Sequence, residues 1–400
     1  MAKVLRKFVH SINTIGYVAL ILLCLTTAAH ATPESQILVA EGRALLFNNG
    51  YPTYSGALAA NDKFEAAVGA DSTDEEANLF YAVSRLIAFA LEEGDTPAID
   101  TLRELLESFG MTRTSYDRLE DGPPYTDPPQ ISEHLDLPDT SPGGEEVRAF
   151  LAGPFITLLS DMLANLEVVT DTFTTSLTAT ETGGDTVEID YGDVLLFKSI
   201  LSVFKSAILI VTAYNLDVDI RELIALGNAD IFNIQRDLLD KYQDLLKLIP
   251  VDGVTSLNDA KTALLNGIAF YGNAIDFVEN ETDDQADDFF YFGSAEDLRE
   301  ARHTQTLLNE ARDSLNENRP ATFSFIEETW ILTDESGNRL RIEIEKDANG
   351  NFVNGEAWGL DGCNFLFCGG EVEEFTISGT DVTIRVSSGG QCPCSATLTG

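Results

Sequence analysis

Apolar residues recur at helical spacing from Pro33 to about Phe109. The stretch "EGRALLFNNG" predicts a helix with a glycine stop at Gly50. Ala60, Phe64 and Ala67 lie at i, i+4 and i+7, one face of a second helix. "GADSTDEE" then supplies a turn, an N-cap and an acidic first turn. The helix after it is expected to bury Leu79, Ala82, Leu86 and Phe89.

Residues 111–144 break this pattern. They are rich in Pro, Gly and Asp and cannot continue a helix. A loop of that length is either functional or a surface excursion pinned by a few apolar residues. Helical spacing resumes at Glu145, with Phe150, Leu151, Phe155, Leu158, Leu159, Met162 and Leu166 on the apolar positions. "GGDTVEIDYGD" interrupts with one short extended piece.

"DVLLFKSILSVFKSAILIVTAYNLDVDI" has the length and hydropathy of a membrane span. Lys198, Ser199, Ser202, Lys205 and Ser206 form one narrow polar stripe along it. Two lysines at membrane depth are expensive, so a central core helix is expected instead, and no stable transmembrane span. "ADIFNIQRDLLDKYQDLLKLIP" predicts a further helix burying Ile231, Ile234, Leu238, Leu239, Leu245 and Leu248 and ending at Pro250. The next helix has Ser256 as candidate N-cap, and "SAEDLREARHTQTLLNEARDSLNEN" reads as a last, solvated one.

Near Arg319-Pro320 the period drops from about 3.6 to 2. Leu340, Ile342 and Ile344 alternate with charged neighbours. Phe375 and Ile377 are expected to pair with Val382, Ile384 and Val386 across Gly379-Thr380-Asp381. Roughly six strands fit. The expected fold class is therefore α+β and multidomain, with a large all-α part first and a small antiparallel sandwich or barrel last. The expected organisation is a leader over 1–31, helical hairpins over 32–110, the loop 111–144, a helical domain over 145–318 and the β domain over 319–400.

Ala60, Phe64 and Ala67, followed by Ala82 at a small-residue position of the next helix, resemble a tetratricopeptide-repeat junction. The likeness covers about 35 residues, one repeat length, and Ser72 stands where the repeat's turn proline would be. It implies close-packed helix hairpins and a layout like that of uncharacterised secreted bacterial proteins. It carries over no catalytic residue.

Composition adds a compartment. Lys3, Arg6 and Lys7 precede the apolar run Val18 to Leu25, and Ala29-His30-Ala31 is a small-x-small site. That is the pattern of a secretory signal peptide cleaved after Ala31. The expected location is the periplasm, cell surface or exterior of a bacterium. The chain has 25 basic against 66 acidic residues, a net charge of −41. Such a surface repels nucleic acid and anionic membrane and attracts cations.

Four cysteines, Cys363, Cys368, Cys392 and Cys394, crowd the C-terminal part. Export favours disulfides over a zinc site. Cys392 and Cys394 are too close to bridge each other without strain, so links from Cys363 and Cys368 to that pair are expected. Each would close a loop of about 25–30 residues and contribute roughly 3 kcal/mol. Asp347, Asn349 and Asn351 are candidate calcium ligands, although the frame is not an EF-hand and a hairpin turn explains them too. "ENETDDQADD" reads as a solvated acidic helix start or loop. No nucleophile elbow, P-loop or dinucleotide fingerprint is present, and no catalytic residue is assigned. His134 in the 111–144 loop, near Asp136, is a candidate for acid–base or metal work, and an exposed loop histidine explains it too. The leading functional expectation is a non-enzymatic extracytoplasmic scaffold that binds a protein or cell-surface partner. The alternatives are a secreted hydrolase or carbohydrate-active protein with a cleft at the 111–144 loop, and a calcium-stabilised surface-assembly subunit.

Overall fold

A computed structural model describes residues 31–94, 98–127, 130–131, 134–135, 137–227, 241–281, 287–317, 326–333, 339–346, 352–359, 370–378, 381–387 and 394–399. It falls into two units, Met1–Arg312 and Asp313–Gly400. The first is mostly helical and the second holds an antiparallel sheet.

The first unit opens with α1 (Pro33–Phe47), α2 (Tyr54–Ala70) and α3 (Glu75–Leu91). Side chains of Thr32, Thr53 and Asp74 cap their N-termini by accepting from Ser35, Gly56 and Ala77 N–H groups. The stop after α1 runs through Asn48, Asn49 and Gly50, all at positive φ. Ser35 reaches Ala67, Gly42 meets Phe64 and Gly56 meets Leu45, so α1 and α2 run antiparallel. Asn61 with Ser84 and Phe64 with Phe80 show the same for α2 and α3. Ala60, Phe64 and Ala67 are fully buried in this three-helix layer. Leu79 and Ala82 are buried, while Leu86 and Phe89 are half-buried against the core.

After α4 (Leu102–Ser108) the chain lies back on these helices. The Tyr125 hydroxyl donates to Ala90 O at 2.6 Å and that of Tyr54 to Gly122 O at 2.7 Å. The Asp117 carboxylate accepts from the Ser55 N–H and hydroxyl. Residues β1 (Gln130–Ile131) and β2 (His134–Leu135) pair as a small ladder. A continuous helix follows as α5 (Gly144–Phe150), a π-turn over Leu151–Phe155 and α6 (Ile156–Leu166). Pro154 sits inside the π-turn, which accommodates its missing N–H.

Strand β3 (Thr174–Leu177), α7 (Ala179–Thr182) and β4 (Val187–Asp190) form a small antiparallel excursion. Strand β4 runs directly into α8 (Tyr191–Thr212), which packs along α10 (Asp252–Asn280). The short α9 (Ile220–Gly227) lies between them in sequence. By length and composition α8 and Gly144–Leu166 could each cross a membrane. The polar stripe of α8 is turned inward. Ser199 donates to Gly267 O and Ser206 to Ala260 O, both at 2.8 Å. Lys198 is buried, pairs with Glu167 at 2.9 Å and lies over the Phe270 ring.

Two expectations fail between α9 and α10. Leu245 and Leu248 are not helical: Leu246 takes φ 62°, and the chain pairs back onto the end of α8, Leu246 N–H to Asn215 O and Ile249 N–H to Ala213 O. The other predicted apolar positions there, Ile231, Ile234, Leu238 and Leu239, lie outside the described residues. Pro250 therefore does not end a helix. It precedes α10, which starts at Asp252, so Ser256 is inside the helix rather than its cap. The last helix, α11 (Ala295–Glu317), starts on Ser294, whose hydroxyl accepts from Asp297 N–H.

The second unit is one six-stranded antiparallel meander in chain order: β5 (Ile326–Thr333), β6 (Arg339–Lys346), β7 (Phe352–Gly359), β8 (Gly370–Ser378), β9 (Asp381–Ser387) and β10 (Cys394–Thr399). Phe375 stands opposite Ile384 and Ile377 opposite Val382. Asp381 pairs with Ser378, so the β8–β9 connection is shorter than expected by that residue.

Candidate functional site

The chemistry gathers where β4 becomes α8. Asp190 is the N-cap, and its Oδ1 accepts from the Asp193 N–H at 3.1 Å. Asp193 returns the contact, its Oδ2 accepting from the Asp190 N–H at 3.1 Å. This reciprocal capping box folds the Asp193 carboxylate back to the start of the helix. Residues after α10 close the other side. Glu188 N–H donates to Asp287 O at 2.7 Å, and Phe289 N–H to Glu188 O at 2.9 Å. That pairing sets Asp288 beside β4, while Glu281 leaves the end of α10.

Asp190, Glu281 and Asp288 each present a carboxylate oxygen, all within 4.8 Å of one another. Asp288 is buried at 9% exposure and Asp193 equally so. The Asp193 Oδ1 is buried with no hydrogen-bond partner. Burial, then the neighbouring charge of Asp190, pushes the Asp193 carboxyl well above its ordinary range, and Asp288 and Glu281 add to the effect. The positive end of α8 offsets part of this crowding. An open cleft of about 670 Å³ adjoins the cluster, lined among others by Phe173, Tyr191, Asn273, Phe277, Asn280 and Glu281.

The sequence-predicted residues lie elsewhere. Asp347, Asn349 and Asn351 fall outside the described residues, as do Cys363, Cys368 and Cys392. Cys394 opens β10 opposite Val386. The backbone of His134 pairs with Ile131, and none of the described residues of 111–144 lines the cleft beside the acids. Asp288 belongs to "ENETDDQADD", but it is buried rather than solvated. Asp190 and Asp193 were missed, although a D-x-x-D pair at a strand-to-helix switch is the signature of a reciprocal cap.

A second feature lies at the opposite end of α8. Ile210, Val211, Leu246, Leu248, Val251 and Val254 are all exposed there, Val251 at 76%. Val251 has φ 67° and ψ −67°, and Asp252 N–H donates to Pro250 O across it at 2.9 Å. This is a γ-turn at positive φ, a strained conformation for a β-branched residue.

Comparison with protein-family models, curated proteins and solved structures gives no match to this chain.

Proposed function

We propose that this chain is a non-enzymatic, exported scaffold protein that binds a partner through the apolar end of the α8–α10 pair. The observation that carries the reading is Val251, a large apolar side chain held 76% exposed on a strained γ-turn. Strain of this kind persists where surrounding structure enforces it and clusters at binding sites. Five further apolar side chains are exposed at the same end of the α8–α10 pair, and exposed apolar surface of this kind marks interaction sites. The export pattern at the N-terminus and the acidic composition support an extracytoplasmic setting. The antiparallel hairpins of α1, α2 and α3 support a divergent helix-hairpin scaffold of tetratricopeptide type. In this reading the C-terminal meander is a sandwich- or barrel-like accessory module stapled through its four cysteines.

The test compares wild type with Val251→Glu by cross-linking in the envelope fraction of the producing cell, followed by affinity capture. A partner held by wild type and lost by the variant, at unchanged melting temperature, is the expected result. Equal recovery by both proteins would sink this surface as the binding site.

A further inference from the structure

Like charges crowded into a partly buried space repel one another unless a proton or a cation joins them. Asp190, Glu281 and Asp288 bring three oxygens within 4.8 Å, and the capping box folds a fourth carboxylate, that of Asp193, back to the Asp190 N–H beside them. Its Oδ1 is buried and accepts no hydrogen bond. Among the described residues, no ion pair reaches Asp190 or Asp193. We infer that Asp190, Glu281 and Asp288, with Asp193 Oδ1 beside them, form a calcium-binding site.

The chemistry selects the ion. Carboxylate oxygens suit a hard cation rather than zinc or copper. Oxygens held at about 2.3–2.6 Å from one calcium ion can stand up to about 5 Å apart, which the observed spread satisfies. Magnesium keeps most of its water and is usually held by only one or two carboxylates. The adjoining cleft leaves a route for the ion and room for completing waters. The ligands come from the start of α8, the end of α10 and the 287–289 segment that pairs with β4. Bound calcium would therefore tie three separate stretches of the helical unit together. This site is separate from the apolar surface around Val251, so either reading can fail without the other.

The experiment is calorimetric titration of the chelator-treated full chain with calcium chloride, with melting curves in calcium, magnesium and matched ionic strength. One saturable site is expected. At a hundredfold excess over Kd the melting temperature should rise by about 5–10 °C, and magnesium should do markedly less. Glu281→Gln and Asp288→Asn should each weaken binding at least tenfold. Their calcium-free forms should keep the far-ultraviolet circular dichroism of wild type, so that lost binding is not lost folding. No saturable heat overturns the inference. So does a calcium-induced shift that persists undiminished in the two variants, which would mark diffuse attraction to an acidic surface.

Discussion

Arg43 and Glu181 lie 138 residues apart in sequence and meet in a forked ion pair. Arg43 Nε and Nη2 donate to Glu181 Oε1 at 3.0 and 2.7 Å, and Nη2 also reaches Oε2 at 2.9 Å. Nη1 donates to Glu76 Oε1 at 2.7 Å, so one buried guanidinium joins α1, α3 and α7. Removing the cation strands two largely buried carboxylates. Arg43→Met is expected to lower unfolding free energy by about 3–5 kcal/mol in urea titration. Arg43→Lys keeps the charge but loses the fork, and should fall between the two.

Glu76 gives the pH signature of that cluster. Burial raises its carboxyl above the ordinary range, and the pull of Arg43 only partly opposes this. The folded protein thus takes up this proton at higher pH than the unfolded chain. Its stabilising contribution is complete below the unfolded value and is lost as pH rises through the folded one. The stability of wild type relative to Glu76→Gln should therefore decline as pH rises above the ordinary carboxylate range. A flat difference across urea titrations would contradict the assignment.

Two glycines should respond in opposite directions. A Cβ at Gly267 would stand 2.9 Å from Val203 Cγ2 and 3.2 Å from Ser199 O, at the contact of α8 with α10. Gly267→Ala is expected to cost about 1–3 kcal/mol by overpacking. Nothing lies within 4 Å of the corresponding position at Gly69 in α2. Gly69→Ala should stabilise by about 0.5–1 kcal/mol through helix propensity.

Val251→Gly relieves the positive φ at the γ-turn without adding a contact. It should raise stability by about 1 kcal/mol in thermal or urea unfolding. Under the proposed function it should also weaken partner capture, because the exposed side chain is gone.

The cysteines call for a mass measurement. Under the proposed function, intact protein recovered from the envelope fraction and denatured should gain about 4 Da on reduction, two protons for each of two bridges. An unchanged mass would mean free or metal-held thiols.

Period and capping chemistry made most of the helical architecture legible in the sequence. Ala60, Phe64 and Ala67 are buried as their spacing requires, and Asp74 caps α3 where "GADSTDEE" placed a cap. The facing of Phe375 with Ile384 and Ile377 with Val382 followed from alternation. The turn at Leu245–Val251 was hidden because leucine and valine carry no local signal for positive φ. Backbone pairing to residues 213–215, set by the tertiary fold, imposes that conformation. The acidic cluster was hidden for a related reason. Its members come from positions 190, 281 and 288, and only the pairing of Glu188 with Asp287 and Phe289 brings them together. In a chain with 66 acidic residues, carboxylate content alone cannot single out three.

The strand order of the C-terminal unit is its chain order, from β5 to β10. Each new strand can dock on the one synthesised just before it, so this sheet can assemble one hairpin at a time with short loop closures. The helical unit obeys a different schedule. Arg43 is made early, yet its forked partner Glu181 emerges 138 residues later. Until then the first helices carry a cation without its forked carboxylate. The same chain therefore contains one part that can fold as it is extruded and another whose ion cluster closes only once the ribosome has passed α7.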